Sequence, residues 1–233
     1  MLFRSPGTAG NGSSLMPDLS STGQFVSFVS AASDLVAADA GGYSDAFVRD
    51  LAVPATTLVS VTDAGVQADG NTTEASISGD GTVVAFKSAA ANIQPADLIH
   101  MDIYIRRNWS LPGASTEFVS THTSNTGSGN SCADPDLSVN GRFVVWQSMS
   151  DQLVNGDTGG FRDIFLRDTL GLVTTRISVN TAGDQGDAGS GTPFVGGRPS
   201  VTASGSYVAF ESSATNLGGG AAGIKDVFRR GPF

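Results

Sequence analysis

The chain has little of what most enzymes use. Cys132 is its one cysteine in 233 residues, so an internal disulfide is excluded while the redox compartment stays open. There are two histidines, His100 in a divergent loop and His122 in a polar strand exit, and neither has the Ser and Asp neighbours of a nucleophile, base and acid triad. Cys132 sits in a Ser/Gly/Asn-rich loop with no histidine near it, the setting of an incidental thiol. Basic residues are scarce. Thirteen Lys and Arg against 22 Asp and Glu give a net charge of −9, which repels phosphate backbones and anionic lipid and argues against nucleic-acid and membrane partners. No apolar run approaches the ~18 residues that span a bilayer. The start, Met1 to Pro6, lacks the charged opening and apolar core of a signal peptide; it reads as the middle of a repeat, so a leader is expected upstream in a longer precursor. Sustained i, i+3, i+4 apolar spacing is also missing, which excludes long amphipathic helices.

Glycine is abundant, with 30 residues, and it marks a period. Four similar turns, Ser21-Thr22-Gly23-Gln24, Gly79-Asp80-Gly81-Thr82, Val139-Asn140-Gly141-Arg142 and Ala203-Ser204-Gly205-Ser206, are spaced by 58, 60 and 64 residues. A fixed period of this size signals a repeat architecture, and Asp-Gly and Asn-Gly predict hairpins in which both central residues take positive φ. An apolar segment follows each turn: Phe25 to Val29, Val83 to Lys87, Phe143 to Gln147 and Tyr207 to Glu211. These near-continuous runs suit strands covered on both faces, with Phe28, Phe86, Trp146 and Phe210 as packing anchors. A third strand opens at an Asp in each copy, at Asp45, Asp102, Asp163 and Asp226. A fourth, rich in Thr, Val and Ser, covers Thr57 to Val61, Glu117 to Thr121 and Thr175 to Val179.

The pattern predicts an all-β fold, a β-propeller of four four-stranded blades at about 15–73, 74–132, 133–197 and 198–233 plus 1–14, in one domain. The last copy ends after its third strand. Because Thr8-Ala9-Gly10 matches Thr181-Ala182-Gly183, residues Met1 to Gly7 are expected to complete that blade and close the ring. The alternative is half of a larger propeller, with two chains sharing an eight-bladed ring.

The Ser-x-Asp-Gly-like turn, the Val-Ala-Phe-x-Ser strand and the Asp-Ile-Phe-Val-Arg-Asp-like strand together resemble the TolB-like β-propeller repeats of bacterial exported proteins, over essentially the whole chain. That resemblance implies a propeller and a periplasmic, secreted or cell-surface setting. It says little about activity, since relatives include protein-binding platforms and peptidase-associated propellers. This chain departs from the family in its longer loop between second and third strands and in having four copies rather than six or seven.

Three groups of residues are candidate sites. Asp39 with Asp45, and Asp157 with Asp163, each flank a Gly-rich loop in an Asp-x-Gly-Gly-x-x-Asp pattern that offers carboxylate and carbonyl oxygens to Ca²⁺. The alternative role for these aspartates is turn capping and hydrogen bonding at the strand entry. The second copy keeps only Asp97 and Asp102. Arg49, Arg106, Arg167 and Arg230 recur once per blade and would bind an anion if they ringed one end of the channel; their regular recurrence also fits a structural pairing. Asp134 and Asp136 are paired carboxylates of the kind glycoside chemistry uses. Repeat symmetry without a catalytic constellation points to a non-enzymatic module that recognises a protein or glycan through loops at one end of the ring, as a monomer or a homodimer sharing a ring. No cofactor is implied beyond the candidate calcium. The alternative is a carbohydrate-active hydrolase or lyase with carboxylates in the axial cleft.

Overall fold

The computed structural model describes residues 9–93, 100–124, 128–158, 160–191 and 197–233; Met1 to Gly7 and Asp97 lie outside them. Every regular element among the described residues is a strand. The first antiparallel sheet contains β1 (Ser14–Leu19), β2 (Phe25–Ser30), β3 (Asp45–Asp50) and β4 (Ala55–Leu58) in that order. The second contains β5 (Thr72–Ile77), β6 (Val83–Ser88), β7 (Asp102–Arg107) and β8 (Ser115–Phe118). The third contains β9 (Cys132–Leu137), β10 (Phe143–Ser148), β11 (Asp163–Asp168) and β12 (Val173–Arg176). The fourth contains β13 (Ser200–Val201), β14 (Val208–Ser212) and β15 (Asp226–Arg230), three strands among the described residues.

The first strands of successive sheets, β1, β5, β9 and β13, pack on one another, so they are innermost and the fourth strands outermost. Each sheet packs face to face on the next, giving four blades arranged about the inner strands. One end of this assembly carries short hairpins and the other, the loop end, carries the long connections between second and third strands.

At the hairpins Ser78 N–H donates to Val83 O and Gly81 N–H to Ser78 O, both at 2.8 Å, which closes a four-residue loop. Only the glycines, Gly23, Gly81, Gly141 and Gly205, have positive φ; Asp80 and Asn140 do not, contrary to the expected two-residue turn. A turn followed by one left-handed residue satisfies the ladder here, and glycine adopts that conformation without Cβ strain. The hydroxyls of Ser20, Ser78, Ser138 and Thr202 accept the amide that re-enters the sheet, at 3.0–3.1 Å.

The second and third strands run where the sequence places them, but the fourth strands pair about two residues earlier than expected. The ladder stops at Leu58, Phe118 and Arg176 because the next amides, of Val59, Val119 and Ile177, turn back to the carbonyls of Ala46, Ile103 and Ile164. That turn points Ser60, Ser120 and Ser178 into the sheet entry.

Three apolar layers lie between the blades. Phe25, Val29, Ala46 and Val48 of the first meet Ala75, Ile77, Val84 and Phe86 of the second. Val83, Ala85, Ile103 and Ile105 of the second meet Leu137, Val144, Trp146 and Phe165 of the third. Phe143, Val145, Ile164 and Leu166 of the third meet Val201, Val208, Phe210 and Phe228 of the fourth. The expected aromatic column is therefore core: Phe28, Phe86, Trp146 and Phe210 stack on Phe47, Tyr104, Phe165 and Phe228 at centroid distances of 5.6–6.0 Å. Fully burying one such large apolar side chain contributes about 1.5–3 kcal/mol.

Candidate functional site

The strand-opening aspartates meet the displaced serines. Ser60 Oγ donates to Asp45 Oδ1 at 2.6 Å and accepts Ala46 N–H at 3.0 Å. Ser120 does the same between Asp102 and Ile103, at 2.6 and 3.0 Å, and Ser178 between Asp163 and Ile164, at 2.5 and 3.1 Å. A glutamine then joins both members of each candidate calcium pair. Gln67 Nε2 donates to Asp45 Oδ2 at 2.7 Å and Asp39 Oδ1 at 3.1 Å. Gln185 Nε2 donates to Asp163 Oδ2 at 2.7 Å and Asp157 Oδ1 at 2.8 Å. The amide orientation is fixed, because Oε1 of Gln67 accepts Ala40 N–H and Oε1 of Gln185 accepts Thr158 N–H. In the second blade Ser128 Oγ reaches Asp102 instead, at 2.8 Å.

The structure thus brings Asp39 to Asp45 and Asp157 to Asp163, with an amide NH₂ donating to both members of each pair. Arg176 adds an ion pair to Asp157 at 3.0 Å. Burial raises Asp45 and Asp157 above the usual carboxylate range, and it pushes Asp163 up to about 6 against the hydrogen bond from Ser178. Among the described residues no group of three or more His, Cys, Asp or Glu is arranged to hold a metal ion. A cation at either pair would draw on two carboxylates, backbone carbonyls and water. Neither glutamine was singled out in the sequence, although Gln67 and Gln185 stand 22 residues after Asp45 and Asp163, a regularity that could have found them.

Three of the four recurrent arginines face outward along the blades. Arg49, Arg106 and Arg167 are buried on third strands, and their Nη1 atoms donate to Thr56, Thr116 and Thr174 of the outermost strands at 2.9–3.1 Å. Arg106 also reaches Thr62 O of the preceding blade at 3.2 Å. Arg230 is half-buried on β15. An anion at the buried guanidinium groups would have to displace these oxygen acceptors.

The innermost strands carry the axial charges. Asp18 Oδ2 accepts Ser76 Oγ and Ile77 N–H at 2.8 and 2.9 Å, and Asp136 Oδ2 accepts Val201 N–H at 2.9 Å. Nearer the loop end Glu74 pairs with Lys87 at 2.8 Å and Asp134 with Arg198 at 3.6 Å. Gln147 donates to Asp134, and Asp134 N–H donates to Glu74 at 2.5 Å. Burial raises both Asp134 and Asp136, helped by the neighbouring charges of Glu74 and Asp18 respectively. Each axial carboxylate therefore already links one blade to the next.

A polar cleft of about 370 Å³ opens at the loop end between the second and third blades, lined by His122, Ser124, Asp151, Gln152, Asn155 and Gly156. His122 Nδ1 accepts Ser124 N–H at 3.0 Å and lies 2.6 Å from Ser124 Oγ. With Nδ1 holding the turn through a backbone amide, neutral imidazole carries its proton on Nε2. Both contacts are to Ser124 two residues on, so among the described residues the arrangement is a local cap of the turn. Cys132 is buried, and its thiol is pushed up to about 12 by burial and by Asp102, which keeps it in the neutral thiol form. Among the described residues no helix is long and apolar enough to cross a membrane.

No family model matches the chain, and no curated protein matches its sequence. Solved structures do resemble it. A putative TolB from Agrobacterium tumefaciens gives a TM-score of 0.51 at 17% identity over 94% of this chain and 58% of that chain. A prolyl endopeptidase gives 0.52 at 14% identity over 95% of this chain and 28% of its own, and the tricorn protease 0.51 at 11% over 88% and 19%. The chain thus spans less than two thirds of the length of each, and at these identities what is shared is the fold, a β-propeller of the TolB-like kind.

Proposed function

We propose that the chain is a non-enzymatic binding module of an exported or cell-surface protein, recognising a protein segment or a glycan at the loop end of its blades. The observation that supports this most is the cleft of His122, Ser124, Asp151, Gln152 and Asn155, an open surface of hydrogen-bonding groups. The other polar clusters, by contrast, are consumed by the fold: the Asp-Ser-Gln latches, the arginine-threonine pairs and the axial carboxylates all bond within or between blades. A glycan array and a protein-partner screen with the purified chain test the reading. A ligand whose affinity falls about tenfold or more in Gln152→Ala supports it, because a lost polar contact of this kind is worth about 1–2 kcal/mol. A ligand indifferent to the cleft variants, or no ligand in either screen, overturns it.

A second reading, a carbohydrate-active hydrolase or lyase, draws on Asp134 and Asp136, whose carboxyls burial raises above their ordinary value, the direction that general-acid chemistry on glycosidic bonds needs. Release of reducing ends or unsaturated products from polysaccharides, abolished in Asp134→Asn or Asp136→Asn, would favour it over the binding module.

Ca²⁺ at the two aspartate pairs stands outside the proposal, because it would have to displace the Gln67 and Gln185 amides. The same melting temperature in chelator and in millimolar Ca²⁺ is expected; a rise with Ca²⁺ would assign the cation. Completion of the ring, whether by Met1 to Gly7 pairing with the last blade or by a shared ring, is proposed separately, since the second and third blades form the loop-end cleft by themselves.

A further inference from the structure

The contact between successive blades is made by the same devices each time. The first is a knob on a glycine. A Cβ added at Gly81, Gly141 or Gly205 would come within 2.0–2.4 Å of Phe25, Val83 or Phe143, the first residue after the hairpin of the preceding blade. The second is a backbone bond: Thr72, Cys132 and Ser190 N–H donate to the carbonyls of Ser44, Met101 and Arg162, each the residue just before the third strand of the preceding blade. The third is the apolar layer already described, between the forward face of one blade and the backward face of the next.

The two end blades carry unmatched parts of this contact, at the hairpin side of the first blade, where Phe28 and Phe47 are already covered by their own loop, and on the forward face of the fourth. On the fourth blade's forward face, Val227 is 77% exposed and Ala209 is exposed, while Ile103 and Ile164, at the position of Val227, and Ala85 and Val145, at that of Ala209, are fully buried. Tyr207 occupies the knob position there. On the first blade's backward face, Leu19 is 55% exposed where Ile77, Leu137 and Val201 are buried. Gly23, the hole position, has nothing within 4 Å of an added Cβ.

We propose that a second copy of this chain docks there, head to tail, with the fourth blade of one chain on the first blade of the other, so that two chains wall one eight-bladed ring. The occupant is argued from continuity: the free forward face has the knob and the free backward face the glycine, in the registers that meet three times within the chain. A head-to-tail contact closes into a ring when its rotation allows, and eight blades lie within the usual range for propellers. The fourth blade's face is also more polar than its inner counterparts. Arg229 lies over the Tyr207 ring at 4.7 Å and Lys225 is 3.7 Å from Glu211. Such a face keeps a free chain soluble, and the dimer it makes dissociates on dilution, as interfaces less apolar than a core do. The docking stands on these residues alone, independently of what the loop end binds.

Light-scattering mass of the intact chain at rising concentration tests it. The expected mass climbs from 23.7 kDa to twice that value. Gly23→Asn, which keeps a residue that tolerates left-handed φ but fills the hole, and Val227→Glu are each expected to raise the dimer dissociation constant at least about tenfold. Both positions are open in the single chain, so both variants should melt as the parent does, which separates lost docking from lost folding. A chain that stays monomeric at all concentrations, or a dimer unmoved by both variants, overturns the proposal. Loop-end ligand binding by a monomeric Gly23→Asn chain would leave the function reading intact while the docking is judged by mass alone.

Discussion

The inner and end blades are built from the same repeat and differ in what covers them. The second and third blades have both faces buried, and their second and third strands are apolar on both sides: Val83 with Val84, Val144 with Val145, and Ile103 and Ile164 beside the aromatic column. The fourth blade keeps the apolar pattern only on its backward face, with Val208, Phe210 and Phe228, and places Tyr207, Glu211, Val227 and Arg229 on the other. The first blade buries Phe28 and Phe47 beneath its own loop residues Ala32, Leu35 and Val36 but exposes Leu19. One repeat therefore yields a core blade or an end blade according to its neighbours, and its stability follows the neighbours, as in other repeat proteins.

The sharpest way to break that comparison is to empty a covered place in an inner blade and an open place in an end blade. Trp146→Ala removes a fully buried ring between the second and third blades and should cost about 3–5 kcal/mol in chemical denaturation. Val227→Ala, on the open face, should stay within about 0.5 kcal/mol. Similar costs for the two would mean that the open face is covered in the isolated chain.

Acid provides the next contrast. Asp163, buried and pushed up to about 6 from 3.8, favours the folded state when protonated. Its contribution, on the order of 3 kcal/mol, is fully present below pH ~4 and is lost as pH rises through about 6. Asp45, Asp134, Asp136 and Asp157 are raised by burial too and act in the same direction. Asp168 opposes them. The Arg142 guanidinium holds it down to about 2, so its contribution is present above pH ~4 and is lost as pH falls through about 2. The melting temperature should therefore be higher near pH 4.5 than at pH 7.5, and Asp163→Asn should shrink that gain. A flat or inverted profile would show that the latch carboxylates are ionised at little cost, as a bound cation would make them.

A smaller contrast uses the glycine holes. Gly141→Asn would press on Val83 and should destabilise the chain by about 1–3 kcal/mol, whereas Gly23→Asn should leave a monomer's melting unchanged within about 0.5 kcal/mol. Equal losses would mean that left-handed φ alone, and not the knob, makes these glycines necessary.

The repeat, the second and third strands and the aromatic anchors were legible because they depend on local pattern: period, turn residues and double-sided apolar runs. The fourth-strand register was not, since Ser60, Ser120 and Ser178 look like strand residues until the aspartate they bond is placed across the sheet. Only the recurrence of Asp39 with Asp45 and of Asp157 with Asp163 showed in the sequence. That a distant glutamine amide donates to both carboxylates depends on the long loop returning to the strand entry. The arginines were visible as a period, but the direction of Arg49, Arg106 and Arg167 depends on the threonine opposite each in the outermost strand. The loop-end cleft had no sequence signal, because His122, Asp151 and Gln152 come from different blades and only the packing of those blades brings them together.

The most direct measurement is amide hydrogen exchange of Asp226–Arg230 compared with Asp102–Arg107, the same strand in an end blade and an inner blade, at low and high protein concentration. The account predicts that the end strand exchanges faster at low concentration and gains protection as concentration rises, while the inner strand stays protected throughout. Equal protection of the two strands at every concentration would contradict it.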